Sequence, residues 1–107
     1  MPIRITGGLL RGRNVPSPDS SKTRPTGSRT REALFNILQD VENFRVLDLF
    51  AGTGIIGIEA LSRGASSVVA VEMAHSQARL VYQAYKALSL DSKITLLEKN
   101  ALTLERE

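Results

Sequence analysis

The sequence predicts an α/β fold built on three parallel strands and preceded by a short β-hairpin. Three observations carry this. From residue 45 onward, apolar runs of strand length alternate with helical apolar stripes in the order β-α-β-α-β. The connections between them are short, which implies a parallel sheet wound in right-handed crossovers. Ahead of residue 45, Ile3 and Ile5 alternate with Arg4 and Thr6 and run into Gly7-Gly8, the signature of a hairpin.

Taken in order, residues 3–15 form the hairpin, with Leu9 to Val15 returning and Arg11 and Arg13 on one face. Residues 16–28 are a connector rich in Pro, Ser and Thr, stiffened by Pro16, Pro18 and Pro25. A helix follows with Ser28 as its N-cap, and Leu34, Ile37, Leu38 and Val41 fall on one stripe. Val46-Leu47-Asp48-Leu49-Phe50 reads as a buried strand, ended by Ala51-Gly52-Thr53-Gly54. A short helix takes Ile55 to Arg63, with Gly64 as its stop. Val68 to Val71 is the second strand and ends at Glu72. Ala78, Val81, Tyr82, Tyr85 and Leu88 mark the core face of a longer helix, and Ile94 to Leu97 is the third strand.

A doubly wound sheet of this kind normally has further strands on the far side of its leading strand. With three strands only, that leading strand is left as an apolar edge, so these residues are expected to be the front half of a longer protein, and to self-associate when alone.

Composition narrows the classes. The chain has 107 residues, 42% hydrophobic and 23% charged, which is a globular balance. Without cysteine there are no disulfides, thiolate zinc sites or cysteine nucleophile within it, and a reducing, cytoplasmic setting is the simple reading. No apolar run is long enough to cross a bilayer, so no membrane partner is expected. The net charge of +3 is unevenly spread. Residues 1–31 carry seven basic side chains and one acid, whereas residues 32–107 carry seven basic and ten acidic ones. A basic arm on a mildly acidic body points to a polyanion met by the arm; the plainer alternative is a solvated terminus.

Gly52-Thr53-Gly54-Ile55-Ile56-Gly57 lies between strand and helix, and the acid Glu72 stands twenty residues after Gly52, the context of a nucleotide-binding loop. Asp48 argues against a dinucleotide. A carboxylate four residues before the first glycine repels a pyrophosphate and suits an ammonium or a sulfonium. S-adenosyl-L-methionine has both, and a ribose whose hydroxyls can donate to Glu72. The glycines would let the backbone approach that ligand closely. The alternative is a tight turn with no ligand, in which Asp48 caps a neighbouring backbone group.

VLDLFAGTGIIGIEALSRGA (46–65), preceded by RPTGSRTREALFNIL (24–38) and RITGGLLRGR (4–13), closely resembles the bacterial family that methylates N2 of a guanine in 16S ribosomal RNA. LDLFAGTG alone indicates class I methyltransferases; the RPT-helix and the GG-x-x-RGR hairpin narrow it to this family. The resemblance implies a Rossmann-like class I methyltransferase fold, here incomplete, with an N-terminal β-hairpin extension. Residues 1–26 would be the RNA-binding arm and residues 27–107 the first half of the cofactor-binding domain. It further implies that Ala51, Gly52, Thr53 and Gly54 pass along the methionine part of S-adenosyl-L-methionine. Glu72 would bind ribose, Met73 would pack on adenine, and Asn100-Ala101 would face the adenine edge. Many class I methyltransferases carry an acid where Asn100 stands; an amide both donates to and accepts from adenine.

Methyl transfer from a sulfonium is an in-line displacement that needs no metal and no covalent intermediate, only a positioned nucleophile. The family holds its guanine amine with an Asp/Asn-Pro-Pro-aromatic motif. The prolines here are Pro2, Pro16, Pro18 and Pro25, none adjacent, so no catalytic residue is assigned and this chain alone is expected to be inactive. Arg4, Arg11, Arg13, Arg24 and Arg29 are the candidates for RNA phosphate contact, in 16S ribosomal RNA or an assembling small subunit. Thr26 at the helix start is an alternative receptor for the methionine carboxylate. His75 is read as a polar residue at a helix start, Tyr82 and Tyr85 as packing, and Glu59 as a solvated or locally paired charge. Competing readings are a methyltransferase for DNA or tRNA, and a non-catalytic RNA-binding module.

Overall fold

The computed structural model describes residues 3–15, 27–49 and 54–99. Two short strands, β1 (Ile3–Arg4) and β2 (Asn14–Val15), pair antiparallel with Ile3 opposite Val15. The hairpin is held as much by its loop as by its ladder, since Ile5 N–H donates to Arg13 and Gly12 N–H donates back to Ile5 at 2.8 Å. Helix α1 (Ser28–Leu38) precedes β3 (Arg45–Asp48), α2 (Ile55–Ser62), β4 (Ser67–Val71), α3 (His75–Ala87), one 3-10 turn and β5 (Ile94–Leu97). Strands β3, β4 and β5 form a parallel sheet in that order, as the alternating pattern predicts, with β3 at one edge.

Three local readings are corrected. Gly27, not Ser28, caps α1, and no side chain bonds its first turn. The buried face of α1 is Arg31 and Phe35, whereas Leu34, Ile37 and Leu38 are 37%, 79% and 46% exposed. The strand expected over Val46 to Phe50 is not buried throughout: β3 ends at Asp48, Val46 packs on the core, and Leu47 and, beyond the strand, Leu49 are 57% and 40% exposed. A parallel strand needs cover on both faces, and among the described residues β3 has it on one.

Helix α2 is the opposite case. Apart from Ile56, every residue in it is buried, because it lies between β4, the hairpin and α3. Gly64, at φ +105°, ends its last turn as expected. On α3 the buried stripe is Ala78, Val81, Ala84 and Tyr85; Tyr82 is 42% exposed, so only the second tyrosine is a packing residue.

Candidate functional site

Parallel strands bring their carboxyl ends to one edge of the sheet, and the register sets what stands there. Asp48 of β3 is opposite Ala70 of β4, and Ala70 is opposite Leu96 of β5. Glu72 directly follows β4, and its N–H continues the ladder by donating to the Leu97 carbonyl at 2.9 Å. Glu98 directly follows β5. The edge therefore carries Asp48, Glu72 and Glu98 side by side.

Two of these carboxylates are held by hydrogen-bond partners. The Glu72 carboxylate accepts the Ala74 N–H at 3.1 Å, which fixes it at the entry to α3. Glu98 is 2.7 Å from His75 Nδ1, so the histidine at the start of α3 pairs with the acid that follows β5. Asp48 is half-buried with Oδ2 shielded from solvent. A row of anionic groups at one rim favours a cation and opposes a phosphate group. Among the described residues no cluster of three metal-ligating side chains exists, and no helix is long and apolar enough to cross a membrane.

The end of the glycine loop shapes this rim from below. Gly54 is in the left-handed region at φ +82° and caps α2, with no side-chain cap bond among the described residues. A β-carbon there would lie 3.0 Å from Val81 and 3.2 Å from the Tyr85 ring, and one on Gly57 would run into the Tyr85 hydroxyl. These two glycines thus serve the approach of α3 to α2, where the sequence suggested an approach of backbone to ligand. Tyr85 is fully buried, and its hydroxyl has no hydrogen-bond partner among the described residues. Burial, and secondarily the charge of Asp48, push its phenol well above the ordinary value.

The acids at this rim suit a cationic ligand. Of the predicted contacts, the structure brings Asp48, Gly54, Glu72 and Met73 to this edge, Met73 being 67% exposed. Ala51, Gly52, Thr53, Asn100, Ala101 and Arg24 lie outside the described residues.

Of the two readings of Glu59, the locally paired one holds, through Arg63 four residues on, and the solvated one does not. Glu59 is completely buried on α2 and accepts the Thr6 N–H at 3.0 Å, the Thr6 hydroxyl at 2.9 Å and the Gly7 N–H at 3.0 Å. Arg63 Nε donates to it at 3.3 Å, and Arg31 Nε stands 3.5 Å away. Arg31 also donates to the Arg4 carbonyl at 2.7 Å, and Arg63 sits over the Phe35 ring at 4.7 Å. Burial lowers the Arg31 pKa, against the pull of Glu59. One carboxylate therefore docks the hairpin and α1 onto the helix that follows the glycine loop. The signal was present: a helix reading IIGIEALS has no polar face to carry its lone acid to water.

Arg4, Arg11, Arg13 and Arg29 are exposed, the first three on the hairpin. Arg31, counted with the basic arm, belongs to the buried cluster.

The family model described as Conserved hypothetical protein 95 matches residues 3–107. Ribosomal RNA small subunit methyltransferase D of Escherichia coli K12 is 53% identical over 72 residues, which cover 66% of this chain and 36% of that protein. A solved structure of a hypothetical protein from Thermus thermophilus superposes with a TM-score of 0.79 at 33% identity, covering 97% of this chain and 60% of that one. The Trypanosoma brucei PRMT1 enzyme–prozyme complex with AdoHcy matches with a TM-score of 0.56 at 26% identity, covering 64% of this chain and 21% of that one. The chain thus spans little more than a third of the length of its first curated relative.

Proposed function

The chain belongs to the Conserved hypothetical protein 95 family, and from that premise we propose that it is the cofactor-binding part of a methyltransferase acting on a guanine N2 of 16S ribosomal RNA. The observation that supports this reading is the placing of acids at the carboxyl ends of neighbouring strands, Asp48 ending β3 and Glu72 following β4. S-adenosyl-L-methionine is a cation with an amino-acid head and a ribose, and it supplies the methyl group from its sulfonium.

The work left to this chain is binding and orientation. Asp48 faces the positive end of the ligand, and Glu72 accepts from the ribose hydroxyls. Met73 supplies an apolar face for the base, with Asn100 and Ala101 at the base edge. The exposed guanidiniums of Arg4, Arg11, Arg13 and Arg29, with Arg24, contact RNA phosphates. No Pro-Pro pair occurs in the 107 residues, so the groups that hold the guanine amine are not assigned here.

Calorimetric titration with adenosylhomocysteine tests the reading. Saturable binding that weakens about tenfold or more in Asp48→Asn and in Glu72→Gln supports it, the loss of one charged hydrogen bond being about 1.5–3 kcal/mol. No saturable binding, or tighter binding of NADH, overturns it.

A further inference from the structure

Leu9 is the most exposed large apolar side chain among the described residues, 94% accessible. A lone surface leucine is ordinary. Its setting is not, because the backbone beneath it is fixed on three sides. Leu9 N–H donates to the Ser62 carbonyl at 2.8 Å and thereby caps the end of α2. Leu10 N–H donates to Ser62 Oγ at 2.9 Å, and that hydroxyl donates on to the Gly7 carbonyl at 2.6 Å. Gly8 sits so close to the same helix end that a β-carbon on it would run into the Ser62 carbonyl. The turn is therefore clamped with Leu10 packed against the core and Leu9 turned out.

The charge that the hairpin itself exposes is of one sign. Residues 3–15 hold Arg4, Arg11 and Arg13 and no acid, and all three arginines are exposed. Arginines that neutralise phosphates position a chain on RNA without reading its bases. A rigid apolar tip among them has a natural counterpart in the face of a base that is not stacked in a helix. Paired RNA offers no such face, because its stacks are closed and its major groove is deep and narrow.

We propose that Leu9 is a base-contacting tip: when the hairpin engages RNA, its isobutyl group packs against an unstacked base in a loop or bulge, held there by Arg4, Arg11 and Arg13. The inference rests on the RNA reading above and adds to it a preference for unpaired over duplex RNA. Clamping matters to this role, since a tip already ordered on α2 loses little freedom when it binds.

The test compares two RNAs of equal length, a stem-loop with 2-aminopurine in its unpaired loop and a perfect duplex, titrated with the wild-type protein, Leu9→Ala, Leu9→Phe, Arg11→Ala and Arg13→Ala. The expected result has three parts. Leu9→Ala weakens stem-loop binding about fivefold and removes the 2-aminopurine response, with duplex affinity and salt slope unchanged. Leu9→Phe retains both. Each arginine variant weakens both RNAs and flattens the salt slope by about one. Equal stem-loop affinity of Leu9→Ala and wild type overturns the proposal. If that variant instead lowers self-association in light scattering, Leu9 is a protein contact, and the proposal is equally overturned. Wild-type protein that binds neither RNA removes the RNA reading itself, a result distinct from failure of the tip alone.

Discussion

The hydroxyl of Tyr85 lies directly against the α-carbon of Gly57, so close that a side chain on the glycine has no place to go. Gly57 closes the glycine motif in the sequence, yet its missing side chain makes room for a tyrosine from the next helix. The motif so serves two ends: Gly54 turns the chain into α2, and Gly57 lets α3 support that turn from beneath.

Gly57→Ala is therefore expected to destabilise the fold by about 1–3 kcal/mol, the range for overpacking a filled core. The same substitution placed on Tyr85→Phe should cost much less, because the colliding atom is gone. Thermal unfolding of the four proteins measures the coupling. An equal loss in both backgrounds would assign the strain to Val68, 3.0 Å from the same added carbon.

Tyr85 also predicts an alkaline limit. Its folded pKa is raised above the ordinary 10.0, so the folded state favours the protonated phenol. That contribution is complete below about pH 10 and is lost as pH rises beyond it, at about 1.4 kcal/mol per pH unit. Denaturant unfolding of wild type and Tyr85→Phe should differ by a constant amount up to about pH 9, beyond which only the wild type loses additional stability with rising pH. Parallel curves to about pH 11 would contradict this.

A sharper asymmetry is expected around Glu59. Its two cationic partners differ in access to water, Arg31 being 3% exposed at the side chain and Arg63 21%. In Glu59→Gln, Arg63 can turn to solvent and Arg31 cannot, so the cost is that of stranding one buried charge, about 3–5 kcal/mol. Adding Arg31→Met should restore part of it, whereas adding Arg63→Met should restore little. Hydrogen exchange at the Thr6 and Gly7 amides, which both bond Glu59, reports whether the hairpin lifts before the rest unfolds.

These residues also mark where the sequence was legible and where it was not. The strands, the hairpin and the stop at Gly64 are set by neighbours within a few residues, and apolar runs and glycines disclose them. The inward face of α1 depends on a carboxylate 28 positions away, and Thr6 meets that carboxylate across 53. Periodicity favoured Leu34, Ile37 and Leu38 because it weighs hydrophobicity alone; an arginine neutralised by a buried acid turned the helix instead. Glu72 was legible in position, since it ends its apolar run, whereas Asp48 stands inside one and was singled out by its distance to the glycine loop. The partners at Ala74 for Glu72 and at His75 for Glu98 were not legible.

The open edge of β3 supports the last prediction. It pairs with β4 on one side only, and among the described residues no strand pairs with its other side. Leu47 on this strand, Leu49 just beyond its end and Ile37 on α1 are exposed apolar groups. An unpaired strand edge together with apolar side chains is a template for association with another copy. The 107-residue chain should show an apparent mass above 11.7 kDa that rises with concentration in light scattering. Leu47→Lys, which puts a charge on that edge without touching the packed side chain of Val46, should return it toward the monomer mass. Exposure makes this substitution nearly neutral to stability, within about 0.5 kcal/mol, so a change in association is not confused with unfolding. A constant monomer mass at every concentration would show that the bare edge is protected by something other than pairing. If the wild type associates and Leu47→Lys does so equally, contact runs through another surface, with Ile37→Lys as the next variant to separate them.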